Sequence, residues 1–394
     1  MGDPASPDPF EGIPLFGDLA RMLQRQGPVA WDTARALAAS VASGGAPEAN
    51  VDPFDRMAFE QLVRVADLRV ADLTGLATSV TGRGVTAVTV TRAGWAARTL
   101  EAWRPLFERL AGAQAGAVSA QGDEDDGDDP ATAMLGGLLQ LVAPMMLGMS
   151  AGSMVGNLAI RAFGQYDLPI PRPPSDELLF VPANIDRFAE DWSLPRDDVR
   201  LWVCLSEVCH HAVLGVPHVR RRLEHLVGEY VAGFRADSGA FEAKLERLDP
   251  TDPQSLASVQ QLLGDPEFLL GTAQSPAQEA LLPRLEALVA VVEGVVDHVM
   301  DATGGALMSS YGMLTEAARR HRVEAAPADR FTSKLFGLDL PQRVYDRGAA
   351  FVDGVVERAG REGLERLWRS ERELPTPAEV DAPGLWLARI DLLD

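Results

Sequence analysis

The 394-residue chain reads as a mainly α-helical fold with a minor β element. Three observations predict it. Apolar residues recur at i, i+3 and i+4 through most of the chain, as on one side of a helix. β-Branched residues crowd together clearly only once, from Val85 to Thr91 behind Gly82 and Gly84. The most informative motif, Ser206-Glu-Val-Cys-His210, has the four-residue spacing of a helical face. Hydrophobic residues make up 46% and charged residues 24%, enough apolar surface to bury a large core.

In chain order, residues 1–26 are rich in Pro, Asp and Gly and read as a disordered tail. Residues 27–118 form an N-terminal helical layer: Phe59, Leu62, Val63 and Ala66 begin one apolar row, and helix resumes from Trp95 to Leu110 after the strand. Residues 119–130 are an acidic loop around Gly122-Asp-Glu-Asp-Asp-Gly-Asp-Asp-Pro130, too charged to fold alone. Residues 131–394 carry the remaining elements, and 27–394 is expected to be one compact unit. Ala131 to Ile160 has no charged residue and is long enough to cross a membrane. Pro144, the glycines and the acidic flank instead suggest two short buried helices meeting near Pro144, with Gly148, Gly152 and Gly156 allowing close backbone packing. Leu168-Pro-Ile-Pro-Arg-Pro-Pro174 is an extended connector. Helical blocks follow near 197–215, 217–236, 239–247, 254–263, 277–303, 308–322, 342–360 and 362–369.

The formal charge of −21 argues against nucleic acid or an anionic membrane as partner, since both demand a basic surface. Cys204 and Cys209 lie five apart on one predicted helix and point apart, so no disulfide is expected. With no basic-then-apolar opening before Pro28, the expected compartment is the cytoplasm. Only Lys244 and Lys334 are lysines, a bias typical of GC-rich bacterial genomes. The chain shows no phosphate loop, Rossmann fingerprint or Gly-x-Ser-x-Gly elbow.

Chemistry concentrates on two helices. Zinc peptidases use His-Glu-x-x-His: two histidines four apart grip zinc, and the intervening glutamate activates the metal-bound water. Here Glu207 and His210 stand in register as general base and metal ligand, but Ser206 occupies the first ligand position. A hydroxyl is a poor zinc ligand. The second helix, Leu288 to Asp301, is apolar apart from Glu293, Asp297, His298 and Asp301. Glu293 and Asp297 share a face, as do the third ligand and the second-sphere carboxylate of glutamate-type zinc peptidases. His298 is the best substitute for the missing ligand, with His218 and His225 as lateral alternatives. Against these readings, a lone histidine such as His210 on an apolar face is more often a satisfied core histidine. His211, His218 and His225 beside Arg220, Arg221 and Arg222 are readable as a solvated basic face.

The chain also resembles a known family. Asp197-Asp-Val-Arg-Leu-Trp-Val-Cys-Leu-Ser-Glu-Val-Cys-His-His211, Val216-Pro-His-Val-Arg220, Val292-Glu-Gly294, His298-Val-Met-Asp301, Phe336-Gly-Leu-Asp-Leu340, Val355-Val-Glu-Arg-Ala-Gly360 and Leu374-Pro-Thr-Pro377 are similar to segments of the actinobacterial zincin-like metallopeptidases. Members are described as candidate hydrolases or as proteins associated with deazaflavin-coenzyme biosynthesis. The resemblance implies a zincin-like helical metallopeptidase fold from about Gly27 to the C-terminus. It also implies a zinc cofactor held by His210 and Glu293, with Glu207 as base and peptide-bond hydrolysis as activity. Ser206 departs from the family pattern, so the same residues suit either a degenerate peptidase or a non-catalytic binding or scaffold protein for a peptide or protein partner.

Overall fold

A computed structural model describes residues 27–122, 130–234, 275–323 and 327–392. The tail over residues 1–26, the centre of the acidic run and the helical blocks expected at 239–247 and 254–263 lie outside the described residues. The helices are α1 (Trp31–Ala42), α2 (Pro53–Thr74), α3 (Arg92–Gly122), α4 (Pro130–Ala159), α5 (Pro182–Asp191), α6 (Arg196–Gly215) and α7 (Pro217–Ala232). They continue with α8 (Pro276–Leu307), α9 (Tyr311–Val323), α10 (Pro327–Leu335), α11 (Gln342–Glu365), α12 (Pro377–Val380) and α13 (Pro383–Ile390). Strands β1 (Thr86–Thr89) and β2 (Glu177–Phe180), with two short 3-10 helices (Arg366–Trp368 and Glu371–Glu373), complete the described elements. The fold is mainly α, as expected, and no single described helix is long and apolar enough to cross a membrane.

β1 falls inside the expected strand and pairs in parallel with β2, Thr86 opposite Glu177 and Thr89 opposite Phe180. Parallel strands need a crossover, and α3 and α4 lie in the chain between them. β2 was not expected. Glu177-Leu-Leu-Phe180 has neither alternation nor β-branching, and it is a strand because its partner and the Gly164–Phe180 bridge supply its hydrogen bonds.

Two short helices meeting at Pro144 are not what forms: α4 runs unbroken through that proline. A proline costs its own amide bond, but its carbonyl is put to use by accepting the Ala30 amide at 2.8 Å, which pins the start of α1 to α4. The glycine row then does what its spacing suggested. A Cβ on Gly148 or Gly152 would lie 2.5 Å from the carbonyl oxygens of Ala30 and Ala34, and one on Gly156 3.0 Å from that of Ala38. Backbones approach here closer than any side chain permits.

α6 is the core helix, with every residue from Val203 to Leu214 buried except Ser206. No side chain caps it: Pro195 stands at the N-cap position, and Ser193 takes a left-handed turn at φ 52°. Asp198 in the first turn accepts hydrogen bonds from Ser309 and Ser310 instead, tying α6 to the start of α9. α8 lies alongside, and its glycine Gly294 meets the Gly348 carbonyl of α11 so closely that a Cβ at either glycine would strike backbone. α11 breaks at Gly360 (φ 64°), which explains why two blocks were legible in the sequence.

The start of α8 is fixed by a capping box. The Ser275 hydroxyl accepts from the Gln278 amide, the Gln278 side-chain oxygen accepts from the Ser275 amide at 2.9 Å, and the Gln278 amide group donates to the Tyr230 carbonyl of α7. Ser275→Ala is expected to lower stability by about 1 kcal/mol, seen as a lower urea midpoint at unchanged slope.

Candidate functional site

His210 of α6 and Glu293 of α8 meet where the sequence paired them. The ring Nε2 lies 3.2 Å from Glu293 Oε1, and the ring Nδ1 lies 2.8 Å from the Ser206 carbonyl oxygen one turn back. Both side chains are buried. A carbonyl can only accept, so Nδ1 carries a proton, and a hydrogen bond to an ionised carboxylate needs one on Nε2 as well. Burial alone would lower the His210 pKa. The Glu293 charge, its hydrogen bond, Glu207 and the Ser206 carbonyl outweigh that and raise it to about 9. The raised value favours a protonated ring beside the Glu293 carboxyl, and the Tyr166 ring stacks 6.1 Å from the imidazole.

Ser206 is half-buried, with its hydroxyl 3.5 Å from Nδ1 and so beside the nitrogen already engaged by the carbonyl. Asp297 is half-buried one turn beyond Glu293; the Cys209 thiol nearby is pushed up chiefly by burial, with smaller contributions from the Glu293 and Asp297 charges. The Ser206 carbonyl engages the Nδ1 side of the His210 ring. His298 stands apart from the pair. It lines a separate cleft with Leu73, Thr74, Arg361 and Trp368. Five residues turn a helix about 140° away from its starting face, so Glu293 and His298 look in different directions.

Glu207 is fully engaged, and its partners carried no sequence signal. Its carboxylate accepts the Gln165 amide at 2.8 Å and the Tyr166 amide at 3.0 Å. The loop Gly164-Gln-Tyr-Asp167 wraps so tightly over it that a Cβ on Gly164 would collide with the carboxylate carbon. The Trp95 indole holds the loop from outside by donating to the Gly164 carbonyl at 2.6 Å. Burial pushes the Glu207 pKa up to about 7, against the opposing pull of His210 and the two amides. Asp167, which accepts the Phe163 amide at 2.7 Å, is held well above the usual carboxylate range by burial and by the nearby Glu207 charge.

The surroundings are polar and buried too. Arg172 sits near the faces of Trp95 and Trp103 and donates to Thr99, its pKa lowered to about 10 by desolvation. His211 is not on a solvated face: it is buried, shares a 3.0 Å hydrogen bond with the Tyr166 hydroxyl, and is biased toward neutrality by burial. His218 is also buried and contacts the Leu367 carbonyl, whereas His225 is exposed. Cys204 and Cys209 are buried and unpaired, as expected. Tyr166, Asp167 and Arg172 were missed by sequence reading. The only hint was a short polar run between α4 and a proline-rich connector.

A catalytic zinc takes three protein ligands and a water. His210 and Glu293 offer two, at a separation close to the roughly 3.3 Å between neighbouring ligands about 2.0 Å from a tetrahedral ion. Glu207 faces backbone amides and Ser206 brings no imidazole. Among the described residues no group of three His, Cys, Asp or Glu side chains is placed to hold a metal ion. The described residues do not fit a catalytic zinc centre.

Comparison with known proteins agrees with the architecture. The chain is similar, at 25% identity and a TM-score of 0.57, to a Chloroflexus aurantiacus protein described as a candidate hydrolase with a novel fold. The likeness covers 92% of this chain and 99% of that one. No curated protein matches. The profile of the zincin-like metallopeptidases matches residues 29–387, spanning α1 to α13 and both site helices. The chain therefore belongs to the zincin-like metallopeptidase family.

Proposed function

We propose that this chain is a zincin-like protein with a degenerate metal centre, in which a protein-internal ion pair replaces the zinc site. On this reading it does not hydrolyse peptide bonds, and it serves as a binding or scaffold protein for a peptide or protein partner. The observation that carries the proposal is His210, whose two ring nitrogens are both committed to acceptors of the protein itself, Ser206 O and Glu293 Oε1. Ser206 in place of the first histidine leaves the described residues without a third ligand for a metal. The two buried thiols support a reducing compartment, the cytoplasm.

A second reading keeps zinc-dependent peptide hydrolysis. It is favoured by the His210–Glu293 separation, which suits two ligands of one ion, and by the near-neutral Glu207, suited to taking a proton at pH 7. Zinc, when bound, would supply a water acidic enough to attack an amide.

Elemental mass spectrometry of the purified protein separates the two. The first reading expects zinc far below one per chain in the wild type and a clear gain in Ser206→His. Stoichiometric zinc in the wild type, with peptide hydrolysis lost in Glu207→Gln at unchanged metal content, would overturn it in favour of the second.

A further inference from the structure

α2 buries one face, through Phe59, Val63, Ala66 and Val70, yet it is apolar on the opposite face as well. Phe54 is 79% exposed, Met57 61%, Val65 40% and Leu68 73%. These are four of the ten large hydrophobic side chains exposed among the described residues, all on one helix. Scattered exposed apolar residues need no explanation, but a contiguous patch does. At 100° per residue, Phe54, Met57, Gln61, Val65 and Leu68 all fall within about 40° of one line along the helix. The strip is about 21 Å long at 1.5 Å per residue. Its spacings of three, four, four and three residues are those of a helix made to lie along another helix.

The strip is also a palindrome centred on Gln61. Phe54 and Leu68 lie seven residues either side of it, and Met57 and Val65 four. A two-fold axis across Gln61 therefore lays Phe54 on Leu68 of an antiparallel copy and Met57 on Val65, with the two Gln61 amides meeting at the axis. In such an arrangement each flank faces its own counterpart. One flank carries Glu60 and Arg64, both exposed, and the axis brings Glu60 of each protomer within about one residue pair, roughly 3 Å along the helix, of Arg64 on the other. The charges are reciprocal and opposite.

We propose that the exposed face of α2 is a self-complementary docking surface, and that its occupant is α2 of a second copy of this chain. Apolar contacts drive the pairing, the Gln61 pair fixes the register and the two Glu60–Arg64 pairs fix the antiparallel sense. A single-helix contact is small for a protein interface, so the dimer is weak, with a dissociation constant in the micromolar range. Each chain carries a formal charge of −21, so long-range repulsion opposes docking at low salt. Raising the ionic strength to about 0.15 M, where the Debye length is about 8 Å, strengthens the dimer.

Sedimentation velocity of the full chain over a concentration series tests this. The wild type is expected to pass from monomer to dimer, and Leu68→Glu, which disturbs no buried contact, to stay monomeric with an unchanged circular dichroism spectrum. Glu60→Arg and Arg64→Glu, each placing like charges together, should weaken the dimer about tenfold, and the double exchange Glu60→Arg/Arg64→Glu should restore it. A wild type that remains monomeric to about 200 µM overturns the proposal and assigns the strip to another occupant. So does a dimer that survives Leu68→Glu, or a double exchange that is no tighter than the single ones.

Discussion

Glu293→Leu is expected to lower the unfolding free energy by about 3–5 kcal/mol, the loss typical of removing one partner from a buried ion pair. His210 would keep its hydrogen bond to the Ser206 carbonyl, but its second proton would face apolar side chains at the interface of α6 and α8. The ring would shed that proton and leave Nε2 unsatisfied. Removing both partners at once, in His210→Leu/Glu293→Leu, should cost far less than the two single losses summed, because no group is then stranded. The pH dependence has a definite sign. The folded-state pKa of His210 is raised from 6.5 to about 9, so the native state holds a proton that the unfolded chain has lost. The pair's contribution is fully present below about pH 6.5 and disappears as pH rises through about 9. Chemical denaturation at pH 6.5 and pH 9.5 should therefore show a larger fall in stability for the wild type than for Glu293→Leu. A single substitution costing less than about 1 kcal/mol would mean that His210 and Glu293 are not an ion pair in solution.

The helices that carry this pair were legible because local sequence dictates them. Glu293 and Asp297 stand out inside a valine-rich run, and a carboxylate in such a run must find a partner on whatever element packs against it. His210 was identified by register with Glu207. What was not legible is everything made by backbone. The Ser206 carbonyl that holds Nδ1 and the Gln165 and Tyr166 amides that hold Glu207 belong to no residue type, so no motif announces them. The same limit hid β2, whose hydrogen bonds come from a strand about ninety residues earlier in the chain. Pro144 misled for a related reason. The rule that proline ends a helix is local, whereas α4 is buttressed by α1 along Gly148, Gly152 and Gly156. His298 was misplaced by arithmetic that the sequence already contained. A five-residue offset from Glu293 cannot share its face.

Glu207→Ala should be nearly as damaging as the loss of Glu293, at about 3–5 kcal/mol. It strands the Gln165 and Tyr166 amides in a buried site, at about 1–3 kcal/mol each, and opens a cavity beneath Gly164. Glu207→Gln, which keeps one acceptor oxygen of the same shape, should cost noticeably less. This ordering distinguishes two reasons for a glutamate at this position. A carboxylate kept for catalysis is a buried charge that destabilises its own fold, and neutralising it would leave stability unchanged or improved. A carboxylate kept as a clamp does the reverse. Folded Glu207 binds its proton more tightly than the unfolded chain, with a pKa raised from 4.5 to about 7, so stability falls as pH rises across that window even in the wild type. The clamp therefore operates at some electrostatic cost, and its benefit lies in the loop it closes. That loop carries the bridge to β2, the Trp95 contact and Tyr166 over His210, so its release should be visible beyond the global midpoint. Native-state hydrogen exchange should show the Gln165 and Tyr166 amides losing protection in Glu207→Ala while α11 and α13 keep theirs, relative to each protein's own global stability. Unchanged protection at those two amides would return Glu207 to the catalytic reading and, with it, the case for a working hydrolase.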